Sequence, residues 1–385
     1  MDALVCDNGT GYLKVGWSNT NYPDYTVPCI IGRPNKKFES ECSNSSDYAT
    51  EYYGDQALPF QHSLDLSRPL EHGIVKDWDG MLKLWDYTFT DKMHIDCSST
   101  NLLLTEAPLN PSSNRQTMAE IVFETFDFAG MKVELQATLA LYAQGLMTGL
   151  IIDSGEGVTH CIPICEGTVF KSQIERIDLA GRDLTQYLLE LLTRKGYNFN
   201  TSYDFEQVRD IKEATCFVSC NLEEDRELCR NTCAYDIDYK LPDGEWIRIG
   251  QERFEAVEAL FKPNLIGRDE EGIAELVFRS VMKSPIDNRK ALLGSMILSG
   301  GTSMFPGMVD RLTGDIKALY KQMRKQQNSI HGEKPTKVKI KIEDPPYRKF
   351  LVYMGGTAFA RILQGKPEAW VTKEQWQEEG DRCLF

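Results

Sequence analysis

Two short loops carry the residue types that could do chemistry: Asp7-Asn8-Gly9-Thr10-Gly11 and Asp153-Ser154-Gly155-Glu156-Gly157. Either loop alone reads equally as a catalytic acid pair, a phosphate clasp or a plain hairpin turn, because Asp and Gly make turns readily. Their repetition narrows the choice. A pair of such turns can present backbone N–H groups to a phosphate chain from two sides. The aspartates cannot bind phosphate directly, since like charges repel, but each can hold a hydrated magnesium ion that bridges the phosphates. Lys14, on the strand after the first loop, would add a point charge. A third turn, Gly300-Gly301 in MILSGGTSMFPG, lets a flat ring approach backbone and fits an adenosine. No G-x-x-x-x-G-K-[ST] loop and no H-R-D catalytic loop occur, which excludes a P-loop device and a protein-kinase site.

The elements around the loops repeat as well. ALVCDNGTGYLKVGWS and GLIIDSGEGVTHCIPICEG both read strand, loop, strand, a tight hairpin whose glycines permit positive φ and close backbone approach. Each is followed by more strand-like sequence, TVPCIIGRP and TVFKSQIERIDL, and then by helical patterns, NRQTMAEIVFETFDF and GRDLTQYLLELLTRKG. Strands then helices, twice over, indicate two related α/β domains made by duplication, with a ligand cleft between them. A chain of 385 residues exceeds what one core usually serves. The expected first lobe is 1–140 plus 350–385, with a small inserted subdomain at about 30–68. The second is 141–349, with an insertion at about 181–265 that includes a hairpin at CAYDIDYKLPDGEWIRIG.

Bulk properties exclude other classes. A net charge of -14 argues against nonspecific nucleic-acid or anionic-membrane binding, which reward a basic face. No apolar run approaches the ~20 residues of a membrane helix, and MDALVCDNGTG lacks a signal-peptide start, so a soluble cytosolic protein is expected. The 11 cysteines then read as small buried hydrophobes. Cys216, Cys220, Cys229 and Cys233 form two C-x-x-x-C pairs. The helical periodicity of FEQVRDIKEATCFVSCNLEEDREL places Cys216 and Cys220 on one helix face, where burial is a simpler role than zinc binding.

Taken in order, the hairpins at Asp7 and Asp153 and the turn at Gly300 resemble the actin family. PLEHGIVKDWDGM, LLLTEAPLNP, FETFDFAGM, DLAGRDLTQYL, VRDIKE and ERFEAVEALFKP extend the resemblance along the whole chain. It implies an actin-like (ribonuclease H-like) ATPase fold, two duplicated α/β domains around a nucleotide cleft. WDYTF, LYAQGLMTG, YNFNTSYDFEQVR and KIKIEDPPYRK look closer to an actin-related, branch-nucleating subfamily than to conventional actin. The basic stretch at 321–337 reads as an insertion relative to actin. After FKPNLIG, where actin is apolar, stand Arg268-Asp269-Glu270-Glu271, which suits docking in a complex better than self-assembly. His72 and the Cys383-Leu384-Phe385 tail look more like conventional actin.

The resemblance also implies roles. Asp7 and Asp153 would hold Mg2+ through water, with Ca2+ able to replace it in vitro. Gly9, Thr10, Gly11, Tyr12, Ser154, Gly155, Glu156, Gly157 and Val158 would contact the phosphates or their surroundings, and Lys14 the phosphate chain. Gln136, in the helix read over MKVELQATLALYAQG, would position the attacking water, assisted by His160. Arg209, Lys212 and Glu213 would line the nucleoside pocket with Gly181, Gly300, Gly301, Met304, Phe305 and Lys349. Glu156 stands where actins usually carry Asp. The implied function is an ATP-binding subunit of the complex that nucleates branched actin filaments at the cell cortex or projections, with slow hydrolysis as a switch. Its implied partners are actin-related protein 3, the other subunits, actin filaments and nucleation-promoting factors, with a docking groove near Tyr142, Gly145, Leu146 and the C-terminal helix. The competing implications are a divergent actin that polymerises alone and, more remotely, a sugar kinase or Hsp70-type enzyme.

Overall fold

The computed structural model describes residues 2–35, 49–331 and 339–384, with the side chains of 327–331 outside the description. The chain falls into two compact units, Met1–Met147 with Lys349–Phe385, and Thr148–Arg348.

The first unit is built on a sheet with the strand order Val371–Thr372, Gly130–Leu135, Asn101–Glu106, Leu4–Asn8, Tyr12–Trp17, Tyr25–Pro28. Leu4–Asn8 pairs antiparallel with Tyr12–Trp17 and parallel with Asn101–Glu106. Every residue of Leu4–Asn8 is buried, the mark of a strand covered on both faces. Its core includes Leu4, Leu13, Val15, Trp85, Phe89, Leu102, Leu104 and Phe128. A smaller three-stranded sheet, Tyr52–Tyr53, Ile31–Pro34 and Leu64–Ser67, lies within the stretch 30–68.

The second unit repeats the central arrangement. Gly149–Ser154 pairs antiparallel with Thr159–Cys165 and parallel with Met296–Ser299. Ile342–Glu343 lies beyond Met296–Ser299, and Glu175–Ile177 pairs with Thr159–Cys165. Its core draws on Leu150, Ile152, Leu184, Leu188, Val208, Ile211, Leu298 and Leu312. Thus each hairpin has a parallel neighbour on the same side, which is the expected internal repeat in hydrogen-bonded form.

Two expectations need correction and a third is narrowed. MKVEL is strand, not helix: residues 130–135 pair in parallel with 101–106, and the helix begins only at Gln136. Of the two uses expected of the hairpin glycines, Gly9 serves close approach: a Cβ there would lie 2.6 Å from the Tyr12 carbonyl oxygen, and neither Gly9 nor Gly155 has a positive φ. Cys216 and Cys220 do not share a helix face, because the helix Ser202–Thr215 stops before them. Tertiary hydrogen bonds capture the backbone there, Phe217 N–H donating to Arg253 and Val218 N–H to Pro306. Cys216 is buried whereas Cys220 and Cys233 are exposed. No cluster of metal-binding side chains occurs among the described residues.

The hairpin read at the Pro-Asp-Gly turn is present as Ile237–Lys240 with Trp246–Ile249. Of the stretch 321–337, the first part extends the helix Met308–His331, and 332–338 lie outside the described residues, as do 36–48 in the first insertion. Among the described residues no helix is long and apolar enough to cross a membrane.

Candidate functional site

The first hairpin holds a dense polar cluster. Asp7 ends the apolar run Leu4–Cys6 and is 1% exposed. Burying a carboxylate costs several kcal/mol unless it is paired and hydrogen-bonded, so its partners decide what it can do. Lys14 Nζ, across the hairpin in register, lies 2.7 Å from Asp7 Oδ2. Thr105 Oγ1 donates to Asp7 Oδ1 at 2.7 Å. Gln136 Nε2 donates to Asp7 Oδ1, to the Asn8 carbonyl and to Thr105 Oγ1, at 3.2, 3.2 and 3.3 Å. Gln136 thus reaches the hairpin as the first residue of its helix, directly off a strand end. At the tip, Thr10 Oγ1 accepts from Gly73 N–H at 3.0 Å, and the Gly11 carbonyl accepts from Cys29 N–H at 2.9 Å. Tyr12 begins the return strand, opposite Pro28 of the next one.

The second hairpin is held by its backbone. Gly181 N–H donates to the Gly155 carbonyl at 3.1 Å and Arg182 N–H to the Glu156 carbonyl at 2.8 Å, which docks the tip on the start of the helix Gly181–Arg194. Thr302 Oγ1 also donates to the Gly155 carbonyl, at 2.6 Å. Ser154 is fully buried and its hydroxyl is 2.8 Å from that of Thr159, which in turn bonds the Leu179 carbonyl. Ser154 therefore has only its backbone to give a ligand. Val158 and Gly157 are buried in the turn, and Asp153 is partly exposed.

His160 lies opposite Asp153 in the antiparallel register. Burial pushes its pKa down to about 3, helped by the positive charge of Arg176, so the imidazole is neutral at pH 7. Its Nε2, Glu156 Oε1 and Ser299 Oγ are enclosed with no hydrogen-bond partner among the described residues. Unpaired buried polar atoms of this kind are uncommon and mark places where a ligand or bound water belongs.

The residues expected around the nucleoside divide. Lys212 is buried and donates to the Gly181 carbonyl at 2.6 Å and to Thr185 Oγ1 at 2.8 Å; burial lowers its pKa, opposed by Glu156. Arg209 forms an ion pair with Glu206 and lies 3.9 Å from Glu213. Gly300 has φ +86°, and a Cβ there would collide with the Ser154 carbonyl. Glycine at 300 thus serves protein packing. Gly301 has open space around its Cβ position. Met304 is 37% exposed, whereas Phe305 is 7% exposed and belongs to the core. Lys349 is exposed, its ammonium 4.9 Å from the Phe350 ring centre. Its neighbour Arg348 is the one that frames the glycine turn, bonding the Ser303 carbonyl at 3.0 Å.

Reading the sequence passed over Thr105, Ser299, Thr302 and Arg348. A signal for the first two exists: each is the first polar residue after an apolar strand run, Leu102–Leu104 and Met296–Leu298.

Comparison with known proteins agrees with this architecture. The family model described as Actin matches residues 1–384. Actin-related protein 2 of Saccharomyces cerevisiae is 44% identical over 384 residues, covering 99% of this chain and 97% of its own length. Actin-related protein 2 of Arabidopsis thaliana is 43% identical over 385 residues, covering 100% and 97%. Actin-related protein 2 of Oryza sativa subsp. japonica is 43% identical over 383 residues, with the same coverage.

Proposed function

Since the chain belongs to the actin family and has its α/β fold, we propose that it binds ATP with Mg2+ and acts as an actin-related subunit of a complex that nucleates branched actin filaments. The observation that carries the nucleotide reading is the cluster of Lys14, Thr105 and Gln136 on the buried Asp7. Asp7 already accepts from three side chains, so it fits a cation held through water better than direct coordination. When bound, the cation neutralises charge on the transferred phosphate.

The protein's own groups do the rest. Backbone N–H groups at the two hairpin tips receive phosphate oxygens. Lys14 balances charge, and Gln136, its amide fixed by Asp7, Asn8 and Thr105, orients the attacking water. His160 is neutral and its enclosed Nε2 is free to hydrogen-bond a water and so assist Gln136. Lys212, Glu213 and the Gly300 turn serve the nucleoside. Hydrolysis is slow and works as a switch.

The relatives named actin-related protein 2 support the choice of subfamily. So does the loop at Arg268. Arg268 is turned onto the Asp178 carbonyl and Asp183, Glu271 pairs with Arg279, and Asp269 and Glu270 are exposed, leaving no apolar tip. In this reading the chain pairs with actin-related protein 3 and further subunits in the cortical actin cytoskeleton. Affinity purification from cell extract should recover a stable multi-subunit complex. Filaments sedimenting from the pure chain with Mg2+, salt and ATP would instead establish a divergent, self-polymerising actin.

A further inference from the structure

The two units place a hydroxyl in the same relation to each hairpin aspartate. In the first unit Cys6 pairs with Leu104 across parallel strands, so the next residues, Asp7 and Thr105, stand side by side. In the second unit Asp153 pairs with Ser299 in the same parallel relation. Both hydroxyl residues are buried, Thr105 at 0% and Ser299 at 1% exposure.

Their present partners differ. Thr105 Oγ1 is saturated: it donates to Asp7 Oδ1 and accepts from Asn8 N–H at 3.1 Å and from Gln136 Nε2. Ser299 Oγ has no partner among the described residues. Asp153 nonetheless lies close by, since its Oδ1 would be 3.0 Å from a Cβ on Gly300, the residue after Ser299. A serine hydroxyl rotates freely about one bond, so it can meet either a turned Asp153 carboxylate or a water on its far side.

We propose that Thr105 and Ser299 are duplicated positioning residues, each fixing its hairpin aspartate for a hydrated divalent cation. Thr105 keeps Asp7 pre-set, whereas Ser299 engages Asp153 only when cation and nucleotide are present. The inference rests on the nucleotide reading above. Groups that orient metal-holding side chains typically alter metal affinity by ~10–100-fold when removed.

The test uses the full-length chain, a fluorescent ATP analogue and titration with Mg2+, reading the Mg2+ dependence of analogue release. Thermal unfolding without nucleotide or cation is measured beside it. Thr105→Val should raise the Mg2+ requirement by ~10-fold or more, and Thr105→Ser should restore it. Ser299→Ala should raise the requirement while leaving ligand-free unfolding unchanged, because the Ser299 hydroxyl has no partner among the described residues. If Thr105→Val does not fold, Thr105→Ser and Ser299→Ala still decide. A wild-type Mg2+ dependence in Ser299→Ala, or a weakened one in Thr105→Ser, overturns the proposal. Asp153→Asn separates the two levels. If wild type never retains the analogue, or Asp153→Asn retains it as well as wild type, the nucleotide reading itself falls. If Asp153→Asn loses it while Ser299→Ala does not, only the positioning role falls.

Discussion

The two hairpins share a strand order and a loop pattern, yet they are stabilised by different means. The first is held by side chains converging on a buried carboxylate, with Lys14, Thr105 and Gln136 all on Asp7. The second is held by backbone, its Gly155 and Glu156 carbonyls receiving N–H groups from the next helix. Duplication thus preserved a geometry and let its supports diverge. One loop depends on charge pairing. The other depends on where a helix begins and is left with enclosed atoms that lack partners among the described residues, at Glu156, His160 and Ser299.

Removing the two aspartates tests that contrast most strongly. Asp7→Ala strands the largely buried Lys14 ammonium and should cost about 3 kcal/mol in ligand-free denaturant unfolding. Asp7→Ala and Asp153→Ala should both lose bound ATP. An Asp7→Ala chain as stable as wild type would refute the charge-paired first hairpin. Next in size is the glycine turn beside the second hairpin. Gly300→Ala should lose about 2 kcal/mol, from strain at φ +86° and collision with Ser154. Gly301→Ala, with open space, should stay within ~0.5 kcal/mol of wild type.

A pH series sharpens the comparison further. The folded-state pKa of His160 is depressed, so below its ordinary value of 6.5 the unfolded chain takes up a proton that the folded chain refuses. Its contribution is therefore fully present above about pH 6.5 and declines as pH falls toward about 3. At pH 5.5 the loss is about 1.4 kcal/mol. His160→Gln should flatten that part of the stability profile, and an unchanged slope would refute the buried, neutral imidazole. Among the destabilising changes, Ser154→Ala has the smallest effect. Losing the Thr159 bond should cost ~1 kcal/mol while ATP retention holds, since the Ser154 hydroxyl points inward. A large loss of ATP would show that the hydroxyl turns to the ligand.

Much of this was legible in the sequence because it depends on local pattern. The hairpins around Asp7 and Asp153, the helix from Gly181 and the turn after Lys240 follow from alternation and turn residues. What escaped depends on contacts between distant segments. MKVEL has no local sign that it must pair with 101–106, and the helix ending at Thr215 is cut by hydrogen bonds to Arg253 and Pro306. Thr105 looked unremarkable because its partners lie 98 and 31 positions away. Of the two reasons for glycine that the loops suggested, close approach is the one that Gly9 uses, and only the structure tells it from positive φ.

One packing detail bears on how the chain comes off the ribosome. The helix Leu351–Leu363 lies against Gln136–Ala143 so tightly that a side chain on Gly355 would strike the Leu139 carbonyl. The first unit therefore cannot close its core until the last ~40 residues are made, whereas the second, Thr148–Arg348, is continuous and can fold while synthesis proceeds. The strand that carries Asp7 is thus synthesised before the second unit, but its own unit is completed after it. A chain truncated near residue 350 and released from the ribosome should hold a protease-resistant second unit and a 1–147 region still open to cleavage, the segment most in need of chaperone cover.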